Sequence, residues 1–356
     1  MSKPFFNIED RIVGEDFPPL IIPEIGINHN GSFSKAKLLI DAAKKANSEI
    51  VKFQCHIIEK EMIKTDIKPG NSNKKIWDII NKAQLTHNEE KRIQKYTINK
   101  KMIFISTPFS REAADRLEEM GVSSFKIGSG ECNNLPLVEH IARKKKPIIL
   151  STGMNDLDSI KTSVNIIRKY DCPIAILHCT SMYPTPYKHV RLGNLAILRK
   201  KFPFAVIGLS DHSLGIETSL GAVALGASII EKHFTISKKW SGPDNIISIT
   251  PSELKLLNHQ SKNIWDSLTT DFSVLKEEKP VINFAYASVV STKKIKKNET
   301  FTYKNLWVKR PGNGKLLSKD LKYIIGKKAS RDIMADKQIY PEDIENFFKK
   351  NKKKKK

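Results

Sequence analysis

A chain of 356 residues with 40% hydrophobic and 28% charged side chains has the make-up of a soluble globular protein with a large core, and no apolar run nears the ~20 residues of a bilayer-spanning helix, so no membrane partner is expected. More than half of the formal net charge of +23 falls in residues 269–356. The lysines elsewhere are scattered on presumed helix faces without an interleaved aromatic platform, so nucleic acid is not an expected partner; a solvated surface whose field gathers an anionic small substrate is the better reading. Cys55, Cys132, Cys172 and Cys179 form no C-x-x-C pair, and M-S-K-P-F-F-N-I-E-D lacks the apolar stretch of a secretory signal, so a reducing cytoplasm and buried, non-ligating cysteines are expected.

From Leu20 onward, short apolar runs alternate with amphipathic spans. The runs are L-I-I-P-E-I (20–25), E-I-V-K-F (49–53), M-I-F-I-S-T (102–107), S-F-K-I-G (124–128), P-I-I-L-S-T (147–152), I-A-I-L-H-C (174–179), A-V-I-G-L-S (205–210) and S-I-I-E-K-H-F (228–234). They are apolar enough to be covered on both faces, as parallel strands are. Helices are predicted over Ser34–Ala46, Arg111–Met120, Leu135–Lys145, Asp156–Tyr170, Leu192–Lys201, Ile216–Gly226 and Pro251–Leu268, with Ser110 and Gly121 as the caps of the second. Eight strand-then-helix units predict an α/β chain with a (β/α)8 TIM barrel over residues 1–268. A doubly wound open sheet is the alternative, but the early G-x-G-x-x-G it often carries is missing. Residues 56–88 form an overlong insertion with a short predicted helix near Ile76–Ala83, the kind of loop that serves as a lid or binding segment. A linker is predicted at 269–281, a small β-rich second domain at 282–348, and a lysine-rich tail at 349–356, disordered by self-repulsion.

In a parallel barrel the chemistry collects where the strands end and their loops converge. In order, these ends supply Glu24; Lys52 and Gln54; Thr107; Lys126, Ser129 and Glu131; Ser151; Thr180 and Tyr183; Ser210, Asp211 and His212; Glu231 and His233. A single histidine there is more often a hydrogen-bonded core residue than a ligand. Two on adjacent strands, each with a carboxylate just before it, could share one divalent metal. Lysine is rarely buried without a partner. Lys52 and Lys126 inside apolar runs, with three serines at the same mouth, suit an anion bearing phosphate and carboxylate groups. Lys126 could also act as a Schiff-base nucleophile; the histidine pair argues for a Lewis-acid mechanism instead.

Several segments resemble motifs of the bacterial sialic acid (N-acetylneuraminate) synthase family. They are E-I-G-I-N-H-N-G (24–31), K-F-Q-C-H (52–56), S-T-P-F-S (106–110), K-I-G-S-G-E-C-N-N (126–134), S-T-G-M-N (151–155), H-C-T-S-M-Y-P-T-P-Y (178–187), G-L-S-D-H (208–212), E-K-H-F (231–234), G-P-D (242–244) and W-V-K-R-P-G-N-G (307–314). The resemblance implies a TIM barrel followed by an antifreeze-like (SAF) domain in a domain-swapped homodimer. It implies condensation of phosphoenolpyruvate with N-acetylmannosamine and water to give N-acetylneuraminate and phosphate. His212 and His233 would hold a divalent cation, Mn2+ or a substitute such as Mg2+ or Co2+. Lys52, Lys126, Ser129, Ser151 and Ser210 would bind phosphoenolpyruvate, with Gln54, Thr107 and Phe109 also among the substrate-binding residues. Glu24, Asn71, Tyr183 and Asp244 would face the open-chain sugar. Arg310 would reach the partner subunit's site, with Phe284 packed nearby, and Glu131 is the expected general base.

Two departures from the family pattern stand out. Phe53 replaces a frequent histidine, and its strand parity points it away from Lys52, toward packing. Ser181 replaces a frequent asparagine near Tyr183, where a shorter side chain would enlarge the sugar pocket. That keeps open a legionaminic acid synthase acting on 2,4-diacetamido-2,4,6-trideoxymannose. The antifreeze-like module also leaves a non-enzymatic carbohydrate- or ice-binding reading, which would not need a barrel mouth full of ionisable groups.

Overall fold

A computed structural model describes residues 3–347; the lysine-rich tail expected at 349–356 lies outside the described residues. The chain divides between Thr269 and Thr270 into two compact units. The first opens with an antiparallel hairpin, β1 (Phe5–Ile8) and β2 (Arg11–Gly14). Eight parallel strands follow: β3 (Leu20–Gly26), β4 (Ile50–Cys55), β5 (Ile103–Pro108), β6 (Phe125–Ile127), β7 (Ile148–Ser151), β8 (Ile174–Cys179), β9 (Val206–Asp211) and β10 (Ile229–His233). They close into a barrel in sequence order, with β10 pairing back onto β3. Each coincides with one of the eight apolar runs.

The two faces of the barrel wall explain why those runs are continuously apolar. Inward-pointing Leu20, Ile22, Ile50, Ile105, Ile149 and Leu177 form one cluster, into which Phe6, Ile8 and Val13 of the hairpin also pack. The hairpin therefore seals the end of the barrel where the strands begin. It is absent from the sequence reading because two four-residue strands carry too little periodicity to register. Gly208 belongs to the same inner layer: a Cβ there would stand 2.4 Å from the Ile229 carbonyl and 2.5 Å from Leu177 Cδ2, so only glycine fits. Outward-pointing residues pack under the helices, and Phe53 does so as its parity requires, stacking on Phe104 at 5.6 Å.

The helices Phe33–Lys45, Arg111–Glu119, Leu135–Ala142, Leu157–Lys169, Asn194–Lys201, Glu217–Ala224 and Pro251–Asp266 lie where expected, every end within three residues of its expected place, as terminal turns fray. The Ser110 hydroxyl accepts from the Ala113 amide, and Gly121 adopts φ +72°. Helix His87–Asn99 was not among the predicted ones. Its apolar stripe is thin, yet T-x-x-E (Thr86, Glu89) forms a capping box at its start, the local signal that marks it. The insertion carries the expected helix Ile76–Ala83. No helix of the described residues is long and apolar enough to cross a membrane.

The second unit holds helix Lys279–Ala285 and one antiparallel pair, β11 (Ser288–Ser291) and β12 (Leu306–Lys309), around a core of Val289, Ile295, Phe301, Leu306, Ile324 and Ile339. The rest is joined by isolated bridges such as Ile295–Ile333. Segment 269–281, read as a linker, is exposed throughout and contains a 3-10 turn (Lys276–Glu278) and the start of that helix.

Behind the barrel wall, Lys232 and Asp211 make a fully buried pair at 3.0 Å. Asp211 also accepts from the Ser213 amide and the Thr218 and Ser219 hydroxyls, and Lys232 donates to the Ser213 carbonyl. Lys232→Met strands a buried carboxylate and is expected to cost about 3–5 kcal/mol, read as a lowered urea midpoint.

Candidate active site

Strand parity decides which side chains reach the barrel mouth. On β10, Glu231 and His233 point inward and Lys232 outward; on β9, Ser210 points inward and Asp211 outward, with His212 following it. Asp211, read from sequence as a carboxylate beside a metal-binding histidine, thus belongs to the buried pair behind the wall. A cavity of about 690 Å3 opens at the mouth. Among the residues lining it are Glu24, Lys52, Gln54, Asn71, Thr107, Phe109, Lys126, Ser129, Glu131, Ser151, Tyr183, Ser210, His212, His233 and Asp244.

Two buried lysines form its floor. Lys52 Nζ lies 2.7 Å from Glu24 Oε2, 3.7 Å from Glu231 Oε2, and donates to Thr107 Oγ1 at 3.1 Å. Lys126 Nζ donates to Ser151 Oγ at 2.7 Å and to the Ile127 carbonyl, and lies 3.7 Å from Glu231 Oε1. Ser210 donates to the same Glu231 oxygen at 3.1 Å, and Ser129 Oγ accepts from the Gly153 amide. Glu231 therefore sits between both ammonium groups at distances too long for hydrogen bonds, a counter-charge that an incoming anion can replace. Burial pushes Glu231 up, but Lys126, Lys52 and Ser210 outweigh it and hold it below the usual carboxylate range. Burial lowers Lys126. It would lower Lys52 too, but Glu231 and Glu24 overcome it and hold that lysine above its ordinary value.

The other carboxylates behave oppositely. Burial, reinforced by the charge of Glu231, raises Glu24 to about 7 against the pull of Lys52. Burial raises Glu131 to about 7 and Asp244 to about 6. Groups poised near neutrality inside a cleft are suited to accepting and returning protons.

His212 and His233 face each other with ring centroids 5.4 Å apart. His212 Nδ1 is turned to the Thr180 carbonyl at 3.1 Å, which leaves Nε2 for a ligand. Tyr183 stacks on the His212 ring at 4.1 Å. His233 Nδ1 is buried without a hydrogen-bond partner, 3.9 Å from Asp244 Oδ2. Burial, then the charge of His212, hold His233 well below its ordinary value, in the neutral form that ligates. No group of three or more His, Cys, Asp or Glu side chains among the described residues forms a metal cage. The pair still fits a cation: an unpartnered ring nitrogen beside a second imidazole provides two ligands and leaves the remaining positions open.

The insertion and the 241–245 loop meet at the rim, where Asn71 donates to the Pro243 carbonyl at 3.4 Å. Ser181 also lines the cavity, its hydroxyl buried and without a hydrogen-bond partner. Phe284 and Arg310 belong to the second unit. There, the Gly312 amide donates to the Asn283 carbonyl, which sets the Arg310 loop beside the helix bearing exposed Phe284. A Cβ on Gly312 would stand 2.3 Å from Tyr286 Cβ, so this approach requires glycine. From sequence, Glu231 stood at the mouth without an assigned role and His56 was not singled out; both line the cavity. Each stands two residues from a chosen one (His233, Gln54), and period-two parity was the available signal.

Comparisons with known proteins agree with this geometry. The profile of the NeuB family matches residues 39–272, and that of the SAF domain residues 286–345. The chain is 38% identical to an N,N'-diacetyllegionaminic acid synthase of Campylobacter jejuni, over 90% of this chain and 98% of that one. It is 31% identical to the human N-acetylneuraminate-9-phosphate synthase, over 96% and 97%. Among solved structures, a sialic acid synthetase from Leptospira borgpetersenii superposes with a TM-score of 0.72 at 32% identity, covering 79% of this chain and 95% of that one. The kinship with sugar acid synthases makes the chain an enzyme of the condensing synthase kind rather than a carbohydrate- or ice-binding protein.

The raised Glu131 gives a stability test. Its ordinary value is 4.5 and its folded value about 7, so between these the folded state binds more protons and stability falls as pH rises. Glu131→Gln removes that loss. Its urea midpoint relative to the unsubstituted protein is expected to be higher at pH 8 than at pH 5.

Proposed function

This chain belongs to the NeuB family, and from that premise we propose that it joins phosphoenolpyruvate to N-acetylmannosamine, with water, giving N-acetylneuraminate and phosphate. The observation that carries the reading is the convergence of Lys52 and Lys126 on one loosely held carboxylate, Glu231, beside the facing His212 and His233. That is a clamp for a doubly anionic substrate next to a place for an aldehyde.

Lys52 and Lys126, with the hydroxyls of Thr107, Ser129, Ser151 and Ser210, hold the phosphate and carboxylate of phosphoenolpyruvate. Phe109 and Gln54 border it, and Asn71, Tyr183 and Asp244 orient the open-chain sugar. A divalent cation held by His212 and His233, Mn2+ before Mg2+ or Co2+, supplies polarisation of the sugar carbonyl when bound. The new bond runs from C3 of the enolpyruvate to C1 of the sugar; the carbonyl π pair passes to the aldehyde oxygen, which takes up a proton from a raised carboxylate of the site, and positive charge is left at C2. Water adds there, Glu131 takes its proton, and phosphate departs by C–O cleavage. Glu24 offsets the charge at C2 or relays the proton. In this scheme Lys126 stays a charge donor and forms no Schiff base.

A second acceptor, 2,4-diacetamido-2,4,6-trideoxymannose, is favoured by one observation. The short Ser181 shares the cavity with Met182, Ile76, Ile79 and Ile80, space and apolar wall that suit a second acetamido group and a C6 methyl. The Campylobacter relative is named for a product of that class. Exposed Phe284 and the adjacent Arg310 loop support the further proposal that each second domain completes the partner subunit's site in a domain-swapped homodimer, the Arg310 guanidinium meeting the N-acetyl group.

Purified protein with phosphoenolpyruvate and each sugar in turn, with and without chelator, is expected to release phosphate and a nine-carbon acid identified by mass only when metal is present. His212→Ala should lower the rate about a hundredfold or more, and borohydride should trap no adduct on Lys126. Undiminished turnover by His212→Ala would remove the metal assignment. For the dimer, Arg310→Ala mixed with Glu131→Gln under subunit exchange should regain activity that neither variant has alone; no recovery counts against action in trans.

A further inference from the structure

The reaction scheme leaves unused a buried chain of contacts at the start of the insertion. His56 Nδ1 lies 2.9 and 3.0 Å from the two Glu61 oxygens, and its Nε2 lies 3.0 Å from Gln54 Oε1. Gln54 Nε2 donates to Glu24 Oε1 at 2.9 Å, and Glu24 Oε2 meets Lys52 at 2.7 Å. The His56 ring stacks on Phe109 at 4.3 Å and 18°. The side chains of His56 and Glu61 are 4% and 5% exposed, so water does not stand in for either partner.

Hydrogen-bond valence fixes the direction of this chain. An ionised Glu24 only accepts, so Gln54 serves it with its amide NH2 and turns its oxygen to His56. That oxygen also only accepts, so His56 Nε2 donates. Glu61, against Nδ1, holds the ring in the plane that this donation needs. Remove the imidazole and the Gln54 carboxamide loses what holds its oxygen. It is then free to turn that oxygen toward Glu24 Oε1, replacing a hydrogen bond by lone-pair repulsion. Among the described residues the Gln54 carboxamide has hydrogen bonds to Glu24 and His56 alone, and Gly26, at φ +51°, leaves it room: a Cβ there would stand 3.0 Å from Glu24 Oε1 and 3.3 Å from Gln54 Nε2.

We propose that His56, anchored by Glu61, is a positioning residue for the reaction: it locks the Gln54 carboxamide so that one fixed donor faces Glu24 and the sugar side of the cavity. Glu61 ends the short helix Ile58–Glu61, so the same pair ties the insertion that carries Asn71 to the barrel mouth. The effect falls on the acceptor. Lys52, at the far end of the chain, keeps its contacts with Thr107 and Glu231, and Lys126, Ser151 and Ser210 lie outside it, so the clamp on phosphoenolpyruvate keeps its charges.

The inference rests on the proposed condensation, and its test separates the two. His56→Phe keeps a ring against Phe109 and removes both nitrogens. It is expected to lower kcat/KM for the acceptor by about tenfold or more while KM for phosphoenolpyruvate stays within about threefold. In a Gln54→Ala background the same change should cost less than about twofold, because His56 acts only through Gln54. Glu61→Gln, which keeps an acceptor for Nδ1, should retain most of the activity. Independent losses that multiply in the double variant, or equal shifts in both KM values, overturn the assignment. Should circular dichroism show His56→Phe unfolded, Glu61→Leu replaces it in the same cycle with the same two outcomes. Apart from turnover, 15N spectra of His56 should show a protonated Nε2, and a bare Nε2 overturns the proposal even in a protein that performs no condensation. Absence of phosphate release by the unsubstituted protein with any acceptor would instead remove the condensation reading.

Discussion

Two ammonium groups closed inside a barrel cannot remain charged unless carboxylates share the space with them. Lys52 and Lys126 are almost fully buried, and Glu24 and Glu231 balance them. The balance is uneven. Glu24 is in direct contact with Lys52, whereas Glu231 stands 3.7 Å from each lysine and is steadied by Ser210 instead. A close pair would lock the site against ligand. A looser one keeps the lysines charged while leaving their donors available, and that condition lets the floor of the cavity serve an anionic substrate.

The rest of the first unit holds this arrangement in place. The strand interiors below the charged layer are aliphatic and pack against the N-terminal hairpin, which closes that end with apolar side chains. Behind the wall, the Asp211–Lys232 pair and the hydroxyls around it join β9 to β10, the two strands that deliver His212 and His233 to the mouth. Alternation along a strand thus divides the labour within three consecutive residues: Glu231 for the site, Lys232 for the scaffold, His233 for the site. Above the floor, His56 and Glu61 extend the buried polar chain into the insertion, so the loop that supplies Asn71 is tethered through Gln54 to Glu24.

Proton chemistry follows from the same burial. The lysines draw Glu231 down, while Glu24 and Glu131, less well compensated, are pushed toward neutrality. One cavity therefore holds a lowered carboxylate, Glu231, beside the raised Glu24, Glu131 and Asp244, according to how far ammonium and hydroxyl groups offset the burial of each.

The chain's own order of residues was enough to establish eight buried strands, the helices between them, and the polar groups that close each strand, because period-two parity and apolar runs are local properties. It also placed Phe53 on the outer face before any contact was known. The short hairpin and helix His87–Asn99 escaped because neither carries a strong apolar period. Contacts across strands were beyond reach for a different reason. That Asp211 turns away from His212 to meet Lys232, that Glu231 stands between two lysines from separate strands, and that Glu61 reaches back to His56 all depend on barrel register and loop path. Long-range packing alone sets those, and it chose which of two similar carboxylates serves the site and which stiffens the wall.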